Sequence, residues 1–492
     1  MATFRSVCCL AALAIWLPAI DPAAAEDGMT EKVAVKFEHL RDDPLRLRAF
    51  LSVMPKGGDL HNHLDGAIYA ETFLARASKD GLCIDIAALA IRHPPCDDHQ
   101  PRADEALAKQ PGLENAMIDS LSMRDFVPST VDRSSHDHFF ATFEKFHAAA
   151  ADNGATLVEE ARRAAAEHVD YLEIIWIPAV RDAIKLGLSA AWHGDDFAAD
   201  AAPIATGIQN LVSQARHIVD AAEAEKSATL GCATPTPEPA CKVVIRYQTF
   251  SLRTVPPQAV FAQMAYDFAV AKADHRFVGV NIVAPEDDRV ALRDYTLHMR
   301  MLRFFHEANP QVKLSLHAGE LAFGLVPPEA LTFHIRQAVE IAGASRIGHG
   351  VSVMYEDDPA GLLAEMAQRK VAVEINQTSN QQILGVSGPQ HPFAEYRAAG
   401  VPVVISTDDE GVERTDLTQE FARAAETWHL GYKDLKALAR ASILYSFLPG
   451  APSADGPGKP DNALLAASEK ARVQWKLEQE LDAFEKDISR QQ

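Results

Sequence analysis

The sequence predicts an α/β fold, a (β/α)8 TIM-type barrel with inserted loops, on three observations. From residue 58 onward, eight short apolar segments alternate with longer helical patterns. Most of these segments are near-continuous apolar runs, as parallel strands covered on both faces require. None is followed by a Gly-rich dinucleotide fingerprint or a phosphate-loop string, which removes the main support for a doubly wound sheet.

The N-terminus reads as a signal peptide over residues 1–25. Arg5 precedes an apolar run from Val7 to Ile20, and Ala23, Ala24 and Ala25 form a small-residue cleavage site, with cleavage expected after Ala25. The run is about 14 residues long, contains Pro18 and ends at Asp21, whereas a membrane span needs roughly 20. The expected location is therefore periplasmic or secreted, with no membrane attachment after cleavage. A helical segment follows over 26–57, the barrel over 58–450, and a C-terminal helical extension over 451–492.

The expected strands are 58–65, 171–177, 242–250, 277–283, 313–319, 346–350, 371–378 and 402–409. Helical patterns cover 137–150 with 155–167, 258–272, 292–307, 331–341, 359–368 and 393–399. The chain of 492 residues is far longer than the ~250 typical of a barrel, and the excess falls at about 81–135 and 181–241. These read as loop insertions suited to a lid or a dimer arm, which leaves a homodimer open. The inserts hold the four cysteines that survive cleavage. Cys83 with Cys96 and Cys232 with Cys241 would each close a short loop, as export permits, and the Pro-rich string GCATPTPEPAC that holds the second pair cannot be helix. Free thiols or a metal cluster are the alternatives, but neither gap matches the two to four residues of a zinc knuckle.

With 47 basic against 68 acidic side chains the net charge is −21, and no basic run appears. Nucleic acid is excluded as a partner, because phosphate neutralisation needs clustered Lys and Arg. Chemistry gathers instead at the C-terminal strand ends, where barrel enzymes place their sites: His61, His63, His317, Glu320, His349, Asp408 and Asp409. His61 and His63 are two apart on a strand and so share one face. Neutral imidazoles suit Zn2+. A third His and a carboxylate, for which His317 and Asp408 are candidates, would complete a sphere that leaves room for a water with a lowered pKa. Phe139, Phe140, Phe143 and Phe146 have helical spacing, a pattern of core packing as much as of a pocket wall.

Together, GDLHNHLDGA, SLHAGE, RIGHG and ISTDDEG resemble the adenosine deaminase family of the amidohydrolase superfamily. MPKGGDLHNHLDG, the leader and the cysteine-bearing insert look most like its secreted growth-factor branch. The resemblance spans roughly residues 54–425. It implies one Zn2+ per chain on His61, His63, His317 and Asp408, and a purine nucleoside, adenosine or deoxyadenosine, as substrate. It also implies that Glu320 protonates purine N1, that His349 orients and helps deprotonate the water, and that Asp409 accepts a hydrogen bond from protonated N7. Asp65 matches the residue that holds the ribose 5′-hydroxyl, with a helix N-cap as its plain alternative.

Four positions depart from the family pattern. Ala284 stands where a Gly usually presents its N–H to purine N3, Asn376 and Gln377 replace Cys and Pro, and Glu410 replaces Pro. Ser379 and Asn380 still match. Three readings compete: deamination of a nucleoside or another aminopurine, a two-metal amidohydrolase, and a secreted binding or signalling module on the same barrel. The second needs a bridging carboxylated Lys, and none occurs in 277–283.

Overall fold

The computed structural model describes residues 22–130, 132–194, 196–453 and 460–490. Most of the expected leader lies outside the described residues. Its cleavage point, Ala25, falls in the first turn of the Pro22–Glu38 helix.

Ten strands form in chain order: β1 (Gly57–His63), β2 (Cys83–Asp85), β3 (Ala90–Arg92), β4 (Val169–Ile175), β5 (Val244–Leu252), β6 (Phe277–Val283), β7 (Lys313–Ala318), β8 (Arg346–His349), β9 (Ala372–Ile375) and β10 (Val403–Ile405). Eight of them make one sheet in the order β1-β4-β5-β6-β7-β8-β9-β10, every pairing parallel. The ring closes where Asn62 bridges Asp408: His63 N–H donates to the Asp408 carbonyl at 3.1 Å, and Asp408 N–H donates to the His61 carbonyl at 2.8 Å. This is the expected (β/α)8 barrel.

Two strands stop three or more residues short of their expected ends, β9 and β10. The segment expected to run to Thr378 leaves the sheet at Ile375 and becomes the Gln377–Leu384 helix. The cause lies 40 residues away, because the Glu420 carboxylate accepts the N–H groups of Gln377 at 3.0 Å and Thr378 at 3.2 Å and so satisfies the helix start. The last strand ends at Ile405 rather than at Asp409.

The inserts differ from the loops expected. The first carries the β2–β3 antiparallel hairpin and two short helices, and its Ile84, Leu113 and Met117 join Phe73, Phe139 and Phe146 in a second hydrophobic cluster. The second is mostly helix: Val180–Ser189, then the 33-residue Phe197–Thr229. Ile204, Ile208, Leu211, Ala215, Val219 and Ala222 recur every three or four residues in it and are buried against the barrel helices, a period hidden in the sequence by the many alanines. Cys83–Cys96 and Cys232–Cys241 are bonded, each with a Cα separation of 5.4 Å. The Pro-rich string forms no α-helix, but its end, expected to be non-helical, is a short 3-10 helix at Pro239–Lys242, where Pro239 at the first position has no N–H to leave unpaired.

The C-terminal helix Glu469–Arg490 belongs to the fold. Val473, Leu477 and Leu481 pack with Leu60, Tyr171 and Ile443, and Lys476 pairs with Asp170 at the start of β4, the end of the barrel away from the clustered histidines. Glu485, fully buried, accepts from Thr30, Tyr432 and Lys436, which ties the first and last helices together. No helix among the described residues is long and apolar enough to cross a membrane.

Candidate active site

The strand ends bring His63, His317, Glu320, His349, Asp408 and Asp409, together with Asp65, into the lining of one cavity of about 720 Å3, with His61 against His317. His61 Nε2 and His63 Nε2 lie 3.1 and 3.2 Å from His317 Nε2, and both are 3.4 Å from Asp408 Oδ1. An ion with four ligands at ~2.0–2.1 Å needs donor atoms about 3.3 Å apart, so these four separations suit a metal. His349 also falls in the cluster: His61, His317, His349 and Asp408 place donor atoms within 4.8 Å of one another, as do His63, Asp408 and Asp409.

Buried partners set the imidazole tautomers. His61 Nδ1 donates to Glu374 Oε2 at 2.7 Å and His317 Nδ1 donates to Asn281 Oδ1 at 2.9 Å, which leaves each Nε2 lone pair facing the cluster. Glu374 is held in turn by Ser315 at 2.7 Å and Arg346 at 2.5 Å, and Arg346 also reaches Glu173. Although burial opposes charge on His61, Asp408 and Glu374 outweigh it and push this imidazole up to about 10. The pocket thus favours a positive charge between His61 and Asp408. His63, at about 4, and His317 are held neutral first by burial, the state in which imidazole ligates metal.

Backbone shape contributes as well. Ala284, His349 and Asp408, each at or just past a strand end, have φ of +82°, +67° and +70°, a left-handed region that costs a non-glycine residue about 1–3 kcal/mol. Such strain persists only where the surroundings impose it. At Ala284 the fully buried Arg253 does so, donating from Nε to the Ala284 carbonyl at 2.7 Å and from Nη1 to the His317 carbonyl at 3.0 Å. Two glycines make room for side chains: a Cβ on Gly66 would lie 1.6 Å from Asp409 Oδ1, and one on Gly348 would lie 2.7 Å from His61 Cε1. The first glycine is in HNHLDG and the second in RIGHG.

The carboxyl groups are tuned apart. Burial, reinforced by Asp408, pushes Glu320 up to about 8, so it holds a proton at neutral pH. Its backbone is fixed by Glu286, which accepts from Glu320 N–H at 2.7 Å and Gly319 N–H at 3.1 Å. Burial and Asp408 also push Asp409 well above the carboxylate range. Asp65 rises to about 6 by burial. It caps nothing: the next helix, Ala70–Asp80, has Tyr69 at its N-cap with no side-chain bond, and no protein group among those described pairs with Asp65. His349 Nε2 and Asp409 Oδ1 are buried without partners, a state that a bound molecule would relieve.

Phe139, Phe140 and Phe143 form an apolar wall of the cavity with Trp176 and Phe250, whereas Phe146 stacks on Phe73 at 4.5 Å and belongs to the core. His136, on the same helix, bonds Asp287 just past Ala284 at 3.0 Å and tethers this wall to the rim. Of the departures, Glu410 takes up Arg163 at 3.3 Å, and Asn376 is buried with both polar side-chain atoms unpaired.

The sequence reading missed Glu374, Arg346, Asn281, Glu286 and Arg253. Four of the five stand in or just past a barrel strand and two of these, Arg346 and Glu374, interrupt apolar runs with charge, which was the signal available.

A parallel barrel whose mouth joins histidines, aspartates and a protonated glutamate is the frame of a metal-assisted hydrolase. The adenosine deaminase profile matches residues 113–455, well over half of the chain, and the chain belongs to that family. Adenosine deaminase of Enterococcus faecalis is 36% identical over 138 residues, which are 28% of this chain and 37% of the relative. Adenosine deaminase of Clostridium perfringens is 26% identical over 182 residues, 37% of this chain and 51% of the relative. The alignments therefore span about a third to a half of these relatives. An adenine deaminase structure from Arthrobacter aurescens covers 87% of this chain and 98% of its own at 16% identity, with a TM-score of 0.52. An Arabidopsis N6-mAMP deaminase covers 88% and 99% at 18% identity, with a TM-score of 0.56. At such identities the likeness concerns the fold.

Proposed function

We propose that the protein is an exported, zinc-dependent deaminase that converts adenosine or deoxyadenosine and water to the inosine counterpart and ammonia. The observation that carries this reading is the buried Glu320 carboxyl beside the His/Asp cluster in a cavity wide enough for a nucleoside. The two disulfides and the N-terminal leader support export.

His61, His63, His317 and Asp408 would hold the zinc, whose chemistry is to supply an activated water at neutral pH. Glu320 gives its proton to purine N1, which breaks the ring aromaticity as C6–O forms; of the two protons of the attacking water, one goes to the amino group, which leaves as ammonia as C6–N breaks, and the other restores Glu320, while N1 keeps its proton in the product. Asp409 forms a hydrogen bond with purine N7, accepting from it when N7 is protonated, as the resemblance implies. Asp65 receives the ribose 5′-hydroxyl, the Ala284 N–H faces N3, and the phenylalanine wall excludes water from the ring.

An absorbance assay over adenosine, deoxyadenosine, adenine and methylthioadenosine tests the reading, with elemental analysis of the mature chain. Adenosine or deoxyadenosine should be the best substrate, with about one zinc per chain. Glu320→Gln should keep the zinc and lose at least ~10²-fold in turnover. Turnover of adenine alone, two metals per chain, or a fully active Glu320→Gln would overturn it.

A further inference from the structure

We infer that Asn380 and His391 are positioning residues that lock His349 into one tautomer, with its proton on Nε2 and directed at the reacting atoms. The role assigned to those atoms rests on the deaminase reading above; the lock itself rests on three hydrogen bonds. Phe393 N–H donates to His391 Nδ1 at 3.2 Å. An N–H can only donate, so Nδ1 accepts and the proton of neutral His391 sits on Nε2. That Nε2 lies 3.0 Å from Asn380 Oδ1, which fixes which way the amide faces. The Asn380 NH2 then donates to His349 Nδ1 at 2.9 Å.

His349 Nδ1 is therefore the acceptor and Nε2 carries the proton. Nε2 has no hydrogen-bond partner in the protein and stands 3.6 Å from both Glu320 Oε1 and Asp408 Oδ2. Turning Asn380 over would set its NH2 against the His391 Nε2–H, two donors face to face. Water cannot compensate, because His349 and Asn380 are 0% exposed and His391 2%.

The resemblance implies an imidazole that helps deprotonate the water. The relay says otherwise: with Nε2 already protonated, His349 orients an oxygen in the site by donating to it, and accepting a proton there would require both Asn380 bonds to reverse and would set a His391 Nδ1–H against the Phe393 N–H. The residues come from separate places, His349 from the end of β8, Asn380 from the helix after β9, and His391 from the following loop.

Histidine-selective 15N labelling of the full mature protein tests this, with the His349 signal identified by its loss in His349→Gln. Long-range 1H–15N spectra of the wild type should show His349 protonated at Nε2 only. His391→Leu removes the donor to Asn380; both tautomers of His349 should then appear, with kcat on adenosine down about tenfold, KM within about twofold and zinc content unchanged. His391→Gln, whose amide can donate to Asn380, should restore the single tautomer and most of kcat. Asn380→Asp offers only acceptors and should move the proton to Nδ1. A wild-type His349 protonated at Nδ1, or a His391→Leu variant with one tautomer and normal kcat, would overturn the inference. If His391→Leu does not fold, the wild-type and Asn380→Asp spectra still decide. A locked tautomer in a protein that does not turn over adenosine would uphold the lock and sink the deaminase reading.

Discussion

Replacing Glu374 by Gln should loosen the candidate metal site from beneath while leaving every proposed ligand in place. Glu374 is fully buried and accepts from His61 at 2.7 Å, Ser315 at 2.7 Å and Arg346 at 2.5 Å. Burial alone would raise its pKa, but Arg346 and then His61 pull it from 4.5 down to about 2. A difference of about 2.5 units at ~1.36 kcal/mol each places the interaction on the order of 3 kcal/mol. The sign follows from the depressed folded value: the stabilisation is complete above pH ~4.5 and is lost as pH falls towards ~2. Glu374→Gln should thus cost about 3 kcal/mol at pH 7, lowering the melting temperature by on the order of 5 °C, and weaken zinc binding 10- to 100-fold through the misdirected His61. Urea unfolding at pH 7 and pH 4.5, paired with competition against a zinc chelator, measures both. A variant with wild-type zinc affinity and a melting point within about 1 °C would refute the reasoning.

Asp65→Ala should lower kcat/KM for adenosine by roughly 10- to 100-fold, as for a lost charged hydrogen bond, with zinc and melting temperature unchanged because Asp65 caps no helix. His136 is held at about 9: burial opposes its charge, but Asp287 and Asp137 outweigh it. The stability lost in His136→Gln should therefore be greatest below pH ~6.5, about 1–2 kcal/mol after screening, and vanish as pH rises through about 9; a pH-independent difference counts against the Asp287 tether. Non-reducing peptide mapping should find Cys83 joined to Cys96 and Cys232 to Cys241, and crossed pairs would refute the assignment.

The barrel was legible because strand and helix periods alternate, and the cluster was legible because polar side chains end apolar runs. Supporting groups were harder to read. Glu374 and Arg346 looked like isolated charges until the β8–β9 register set Glu374 opposite Gly348, within reach of Arg346 two residues back on the same face, and Asn281 meets His317 only across the β6–β7 pair. The early end of β9 depends on Glu420, which no local pattern around residue 376 contains. The upward pKa shift of Asp409 was out of reach for a similar reason, since it is set by burial and by Asp408, and neither is a property of the string STDDEG. The long Phe197–Thr229 helix escaped notice because alanine fills its faces almost evenly, so its apolar stripe emerges only from what packs on it.

The closure of the barrel at Asn62 and Asp408 carries a consequence for biosynthesis. His61 and His63 leave the ribosome early, His317 about two-thirds of the way through, and Asp408 only when the last barrel strand has been made. An ion held by these four groups would therefore straddle the seam between the first and last strands, and a nascent chain could grip it with imidazoles alone until Asp408 arrives. Completion of the site and shutting of the ring would then be one event, so that an ion held there would act as the final rivet of the fold.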